Sequence, residues 1–168
     1  MLATTARGFE LKGLGELWDL LREVGDDKAE VKISDISGVV IAKTSFDPIF
    51  FVEKVKEIVS REPWKVKNLL RLIPLERNVE ANLDLMKEKL KEIKDKIAIN
   101  ESFRITVEKR YTNLSSKEII EALAKIVDRR VSLEEPDWIV LVEIVKNRAG
   151  ISVLKEEQIV SFVKLKRA

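Results

Sequence analysis

The sequence predicts an α/β (α+β) protein built from two small domains, and three observations carry that prediction. Strand-like and helix-like periods alternate along the chain. The stretch Glu76-Arg77-Asn78 interrupts the apolar pattern near the middle. With 168 residues, 45% of them hydrophobic, the chain has material for a core in each half.

Residues 1–6 are a short apolar start read as a strand. Leu14, Leu17, Trp18, Leu21 and Val24 then recur at helical spacing until Gly25 stops them. Alternation over 29–34, a turn at Ile36-Ser37-Gly38 and the β-branched run 39–43 predict a hairpin. Asp47 followed by Pro48 is a helix start, and Phe51, Val52, Val55, Ile58 and Val59 supply its buried stripe up to Glu62-Pro63. Residues 66–75 read as a closing strand, with a helical extension over 65–72 as the alternative. The sum is βαββαβ, a ferredoxin-like domain over residues 1–75.

The second domain, residues 76–168, is expected to be α/β around a mixed central sheet. Val79, Leu83, Met86, Leu90, Ile93 and Ile97 predict a solvent-exposed helix lying on a core. Phe103, Ile105 and Val107 alternate with polar residues as a half-buried strand. Ser115 and Glu118 have capping-box spacing ahead of a helix carrying Ile119, Ile120, Leu123, Ile126 and Val127. The nearly unbroken apolar run 138–145 predicts the central strand, covered on both faces. Further strands are expected over 150–154 and 159–165.

Composition restricts the chemistry. There is no His and no Cys, which removes imidazole bases, thiolate nucleophiles and nearly all zinc sites, so no catalytic group, metal or cofactor is expected. Any enzyme built here would rest on Asp, Glu, Lys or Tyr111. The net charge of +2 results from 31 basic and 29 acidic residues and neither supports nor excludes nucleic acid. Charged residues amount to 36%, with both signs interspersed as in ion-pair-rich proteins of thermophiles. The start lacks the apolar core of a signal peptide, and no run approaches the length of a membrane span, so a cytoplasmic protein without a membrane partner is expected.

Gly13-Leu14-Gly15 is a poor phosphate loop: the third glycine and the Lys-Ser/Thr pair of a P-loop are absent. Asp26-Asp27, Glu134-Glu135 and Glu156-Glu157 fall at predicted turns, where solvated carboxylates are ordinary. Glu143 inside an apolar strand requires a partner or an exposed face, and Lys146 or Arg104 is the expected partner. Basic residues gather at predicted strand ends: Lys109-Arg110, Arg129-Arg130, and Lys146 with Arg148, with Asn113 nearby. If these ends converge on one rim, they would hold nucleic-acid phosphates. A second basic stretch holds Lys65, Lys67 and Arg71 beside Trp64, which either stacks on a base or belongs to the core.

Residues 79–165 resemble the THUMP domain, a module of tRNA-modifying proteins. The resemblance rests on Lys109-Arg110 after a strand, on 131–137 (VSLEEPD) before the central strand, and on Val142-Glu143-Ile144-Val145-Lys146 followed by Ile151-Ser152-Val153. The last two segments are similar to the adaptor branch that serves tRNA cytidine acetylation. Ser132 and Glu135 depart from the family's Asp and Asn, while Pro136-Asp137 is kept. The resemblance implies an adaptor that binds the acceptor end of tRNA through a paired ferredoxin-like domain and presents it to a separate RNA cytidine acetyltransferase. No methyltransferase, deaminase or thiolation domain is expected, as the sequence stops at Ala168. The rival expectation is a protein-interaction or ligand-sensing module that does not touch RNA.

Overall fold

The computed structural model describes residues 1–167. The chain forms two compact units, Met1–Pro74 joined by the tail from Glu157, and Leu75–Glu156.

In the first unit β1 (Leu2–Thr5), α1 (Glu10–Val24), β2 (Glu30–Ile33), β3 (Val39–Lys43), α2 (Pro48–Arg61) and β4 (Leu69–Ile73) follow the predicted βαββαβ order. The antiparallel sheet runs β10-β4-β1-β3-β2, where β10 is Val160–Ser161. Leu17, Leu20 and Leu21 of α1 and Phe51, Val52, Val55 and Val59 of α2 bury one face of it. Gly25, at φ 100°, ends α1 in the left-handed region and donates its N–H to the carbonyls of Leu21 and Arg22. Asp47 caps α2 by accepting the Ile49 N–H, with Pro48 in the first turn. After α2 the helical alternative survives only as a 3₁₀ turn, Pro63–Lys65, and the chain then enters β4.

Gly13-Leu14-Gly15 lies within α1 and forms no loop. A Cβ at Gly13 would come within 2.4 Å of Thr5 Cγ2, so this glycine permits close approach of helix and strand.

Asp26 departs from the solvated-turn expectation. It is buried, accepts from the hydroxyls of Thr44 and Ser45 and from the backbone N–H groups of Ser45 and Lys28, and so ties the end of α1 to the link between β3 and α2. Burial pushes its carboxyl up, but the hydrogen bonds from Ser45 and Thr44 outweigh that and leave it below the usual Asp value.

In the second unit the predicted long helix over 79–97 is replaced by three elements. These are β5 (Arg77–Glu80), α3 (Leu83–Lys91) and a 3₁₀ turn, Lys94–Lys96. Two local facts decide this. Residues 77–80 pair with residues 148–151, so the segment read as a boundary is an edge strand. Asn82 then caps α3 by accepting the Leu85 N–H. The following elements are β6 (Ser102–Arg110), α4 (Ser116–Val127), β7 (Arg130–Val131), β8 (Trp138–Val145) and β9 (Arg148–Leu154).

The sheet order is β5-β9-β8-β6-β7, with β8 in the centre as predicted. It is mixed: β6 runs parallel to β7 and β8, while β9 is antiparallel to β8 and β5. Met86 and Leu90 of α3 and Ile119, Leu123 and Val127 of α4 cover the face formed by Val140, Val142, Ile144, Ala149, Ile151 and Val153. The strand expected over 159–165 is shortened to β10 and continues as α5 (Phe162–Arg167). Both elements join the first unit, because β10 pairs with β4 and Phe162 is buried in that core.

Candidate nucleic-acid interface

The register of the second sheet places three strand ends together. Residues 103–110 of β6 pair in parallel with 138–145 of β8, so Arg110 stands beside Val145. The chain then turns through Lys146-Asn147 into β9, and Arg148 pairs with Val145 on one side and Glu80 of β5 on the other. Lys146 N–H donates to the Arg110 carbonyl at 2.8 Å, and Ala81 N–H donates to the Asn147 carbonyl at 2.7 Å. The carboxyl ends of β5, β6 and β8 therefore form one rim. Helices α3 and α4 both start from it, directing the positive ends of their dipoles there.

Lys109, Arg110, Lys146 and Arg148 all lie at this end of the sheet. Their states differ. Lys109 Nζ donates to the Leu114 carbonyl at 2.9 Å and braces the loop between β6 and α4, which carries exposed Asn113. Arg148 Nε donates to Asn78 Oδ1 at 3.1 Å. Lys146 is exposed at the tip of the turn. Arg110 makes a 2.7 Å ion pair with Glu143, a residue only 2% exposed. Neither partner expected for Glu143 is this residue, and Arg104 instead donates to the Leu133 carbonyl. Glu80 and Glu108 are exposed at the same end, and Lys109, level with Ile144, and Arg148, level with Val145, project to opposite faces of the sheet.

Arg129 and Arg130 are not part of the rim. Arg130 pairs with Ser102, the first residue of β6, while the rim begins at its last residue, Arg110. Eight residue steps at about 3.3 Å put the two ends roughly 26 Å apart. Arg129 further spends its donors on the carbonyls of Ile97 and Asp128. Sequence proximity to strand ends could not separate these clusters, since the two ends of a parallel strand look alike until register is known.

Lys65, Lys67 and Arg71 lie in the first unit. Lys65 is held by Glu23 at 2.6 Å and Glu62 at 2.8 Å, and these hydrogen bonds raise its pKa. Its charge is thereby matched twice over. Lys67 is exposed, and Arg71 sits on β4 opposite Thr4 and Ser161. Trp64 is 64% exposed, which overturns the core alternative for that ring.

One rim residue escapes composition and charge. Tyr111, directly after β6, is 80% exposed and holds φ 55°. Its place after Lys109-Arg110 at a strand end was the available signal.

Among the described residues no group of three acidic side chains is placed to hold a metal ion, and no helix is long and apolar enough to cross a membrane.

Residues 80–154 match the THUMP domain family. THUMP domain-containing protein 1 of Bos taurus is 27% identical over 157 residues, covering 82% of this chain and 44% of its own length. The chain thus spans less than half of that relative. The crystal structure of PH1313 from Pyrococcus horikoshii Ot3 superposes with a TM-score of 0.69 at 19% identity, over 92% of this chain and 54% of that one. TrmN from Thermus thermophilus gives 0.58 at 14% identity, over 90% and 44%. At these identities the two structures establish the fold.

Proposed function

We propose, from the match of residues 80–154 to the THUMP domain family, that the chain is a non-catalytic tRNA-binding adaptor. It binds the acceptor end of tRNA and presents it to a separate RNA cytidine acetyltransferase that forms N4-acetylcytidine. The observation that carries the binding role is the rim, the sheet end at which Lys109, Lys146 and Arg148 all lie and two helices start. Cations so placed grip phosphates without reading bases, and binding is driven by counterion release. The adaptor role is supported by the absence of His and Cys and by the THUMP assignment. The acetylation branch is supported by the strand sequences 142–146 and 151–153.

The structure determines how to probe the rim. Arg110→Ala would leave Glu143 buried beside no guanidinium, so its effect on RNA would be confounded by folding. Lys146→Ala combined with Arg148→Ala leaves that pair intact. The double variant is expected to bind tRNA more weakly and to lower the log-log salt slope by roughly 0.7 to 0.9 per lost phosphate contact. Electrophoretic mobility across a salt series measures both. No shift of tRNA by the wild-type chain at low salt would favour the protein-interaction module. The adaptor role is tested by adding the chain to a purified RNA cytidine acetyltransferase and tRNA: acetylcytidine yield should rise with wild type and less with the double variant.

A further inference from the structure

Tyr111 is unfavourable in two ways. Its ring is 80% exposed, so the fold gains little from burying it. Its backbone lies at φ 55°, in the left-handed region that costs an ordinary L-residue roughly 1 kcal/mol and a glycine almost nothing. A bulky aromatic that neither packs nor relaxes its own backbone contributes nothing evident to stability. Strain of this kind is retained where a side chain has to be aimed.

The surroundings say at what. Tyr111 follows Arg110, whose carbonyl accepts the Lys146 N–H. Lys146 is itself left-handed at φ 55°, so both strands of the parallel pair β6 and β8 end in a strained, exposed side chain at the same place. Tyr111 and Lys146 thus leave the ends of two adjacent strands side by side, on a rim that also carries Arg148. A phosphate beside Lys146 brings its nucleotide's base within reach of the ring only if that base is unpaired, because bases in a duplex are stacked on each other.

We propose that Tyr111 is a stacking platform for one unpaired base, and that it makes this rim prefer single-stranded RNA over duplex. The inference rests on the RNA-binding reading and assigns a positioning role that charge alone cannot supply.

The test uses the full chain with two labelled probes, a single-stranded RNA octamer and a blunt RNA duplex, followed by fluorescence anisotropy. Tyr111→Ala should weaken octamer binding roughly tenfold while leaving the duplex and the salt slope unchanged, since stacking releases no counterions. Tyr111→Phe should retain the wild-type preference. Tyr111→Gly should bind like the Ala variant yet unfold at the same or a higher temperature, because it relieves the left-handed strain. Equal octamer affinity for wild type and Tyr111→Ala overturns the stacking role and leaves the RNA reading standing. Loss of duplex and octamer binding together also overturns it. Wild type that binds neither probe, even at low salt, overturns the underlying reading itself.

Discussion

Glu143 illustrates how much one side chain reveals before and after folding is known. A carboxylate in the run WIVLVEIV must be paired wherever that strand is central, and this follows from desolvation alone. Its partner does not follow, because it depends on register: Glu143 stands opposite Glu108, and Arg110, two residues on, reaches it on the same face of the sheet. Arg110, read from sequence as an RNA contact, therefore has a structural duty first. Arg110→Ala should cost about 3 kcal/mol or more, because it takes a guanidinium away from a buried carboxylate. Arg110→Met with Glu143→Leu should recover most of that loss, since well-packed apolar pairs replace buried ion pairs at little cost. Urea denaturation of the four species gives the coupling; additive losses would mean that the two groups do not depend on each other.

Helices and long strands announce themselves by period, while short edge strands do not. α1, α2, α4, β6 and β8 were legible from apolar spacing, caps and β-branched runs. β5 and β7 were not, because each carries a single apolar residue and owes its existence to pairing with β9 or β6. The same limit hid the clamp at Asp26, which joins α1 to the link before α2 through residues almost twenty positions away. The clamp makes a pH prediction. The Asp26 carboxyl titrates lower in the folded chain than in the unfolded one, so at acid pH the unfolded state binds more protons. Its stabilisation is fully present above the ordinary Asp value of about 3.9 and is lost as pH falls through the folded value. Asp26→Asn should therefore be less stable than wild type at pH 7, and the gap should narrow below about pH 4. Thermal melts across that range check it; a gap that widens with acid would contradict the clamp.

At the scale of the molecule the division into units is discontinuous. The expected boundary at 75/76 assigned everything after it to the second domain, yet residues 157–167 join the first. No local signal marked this, since 159–165 is as apolar as a strand of either sheet, and only pairing of Val160 with Leu72 and of Ser161 with Arg71 assigns it. The tail extends the first sheet by a strand and buries Phe162 and Val160 in its core, and Lys166 Nζ donates to the Val66 carbonyl. Removing residues 157–168 should then destabilise the first unit by about 3 to 5 kcal/mol, the burial of one Phe and one Val. For a unit this small that lowers its Tm by upwards of about 10 °C. The second unit keeps all strands of its sheet in such a truncation, because they end at Leu154. Tryptophan fluorescence separates the two responses: Trp18 and Trp64 lie in the first unit and Trp138 in the second. In single-tryptophan variants of the truncated chain the Trp18 transition should move and the Trp138 transition should stay. A shift of the Trp138 transition alone would mean that the tail stabilises the second unit rather than the sheet it pairs with.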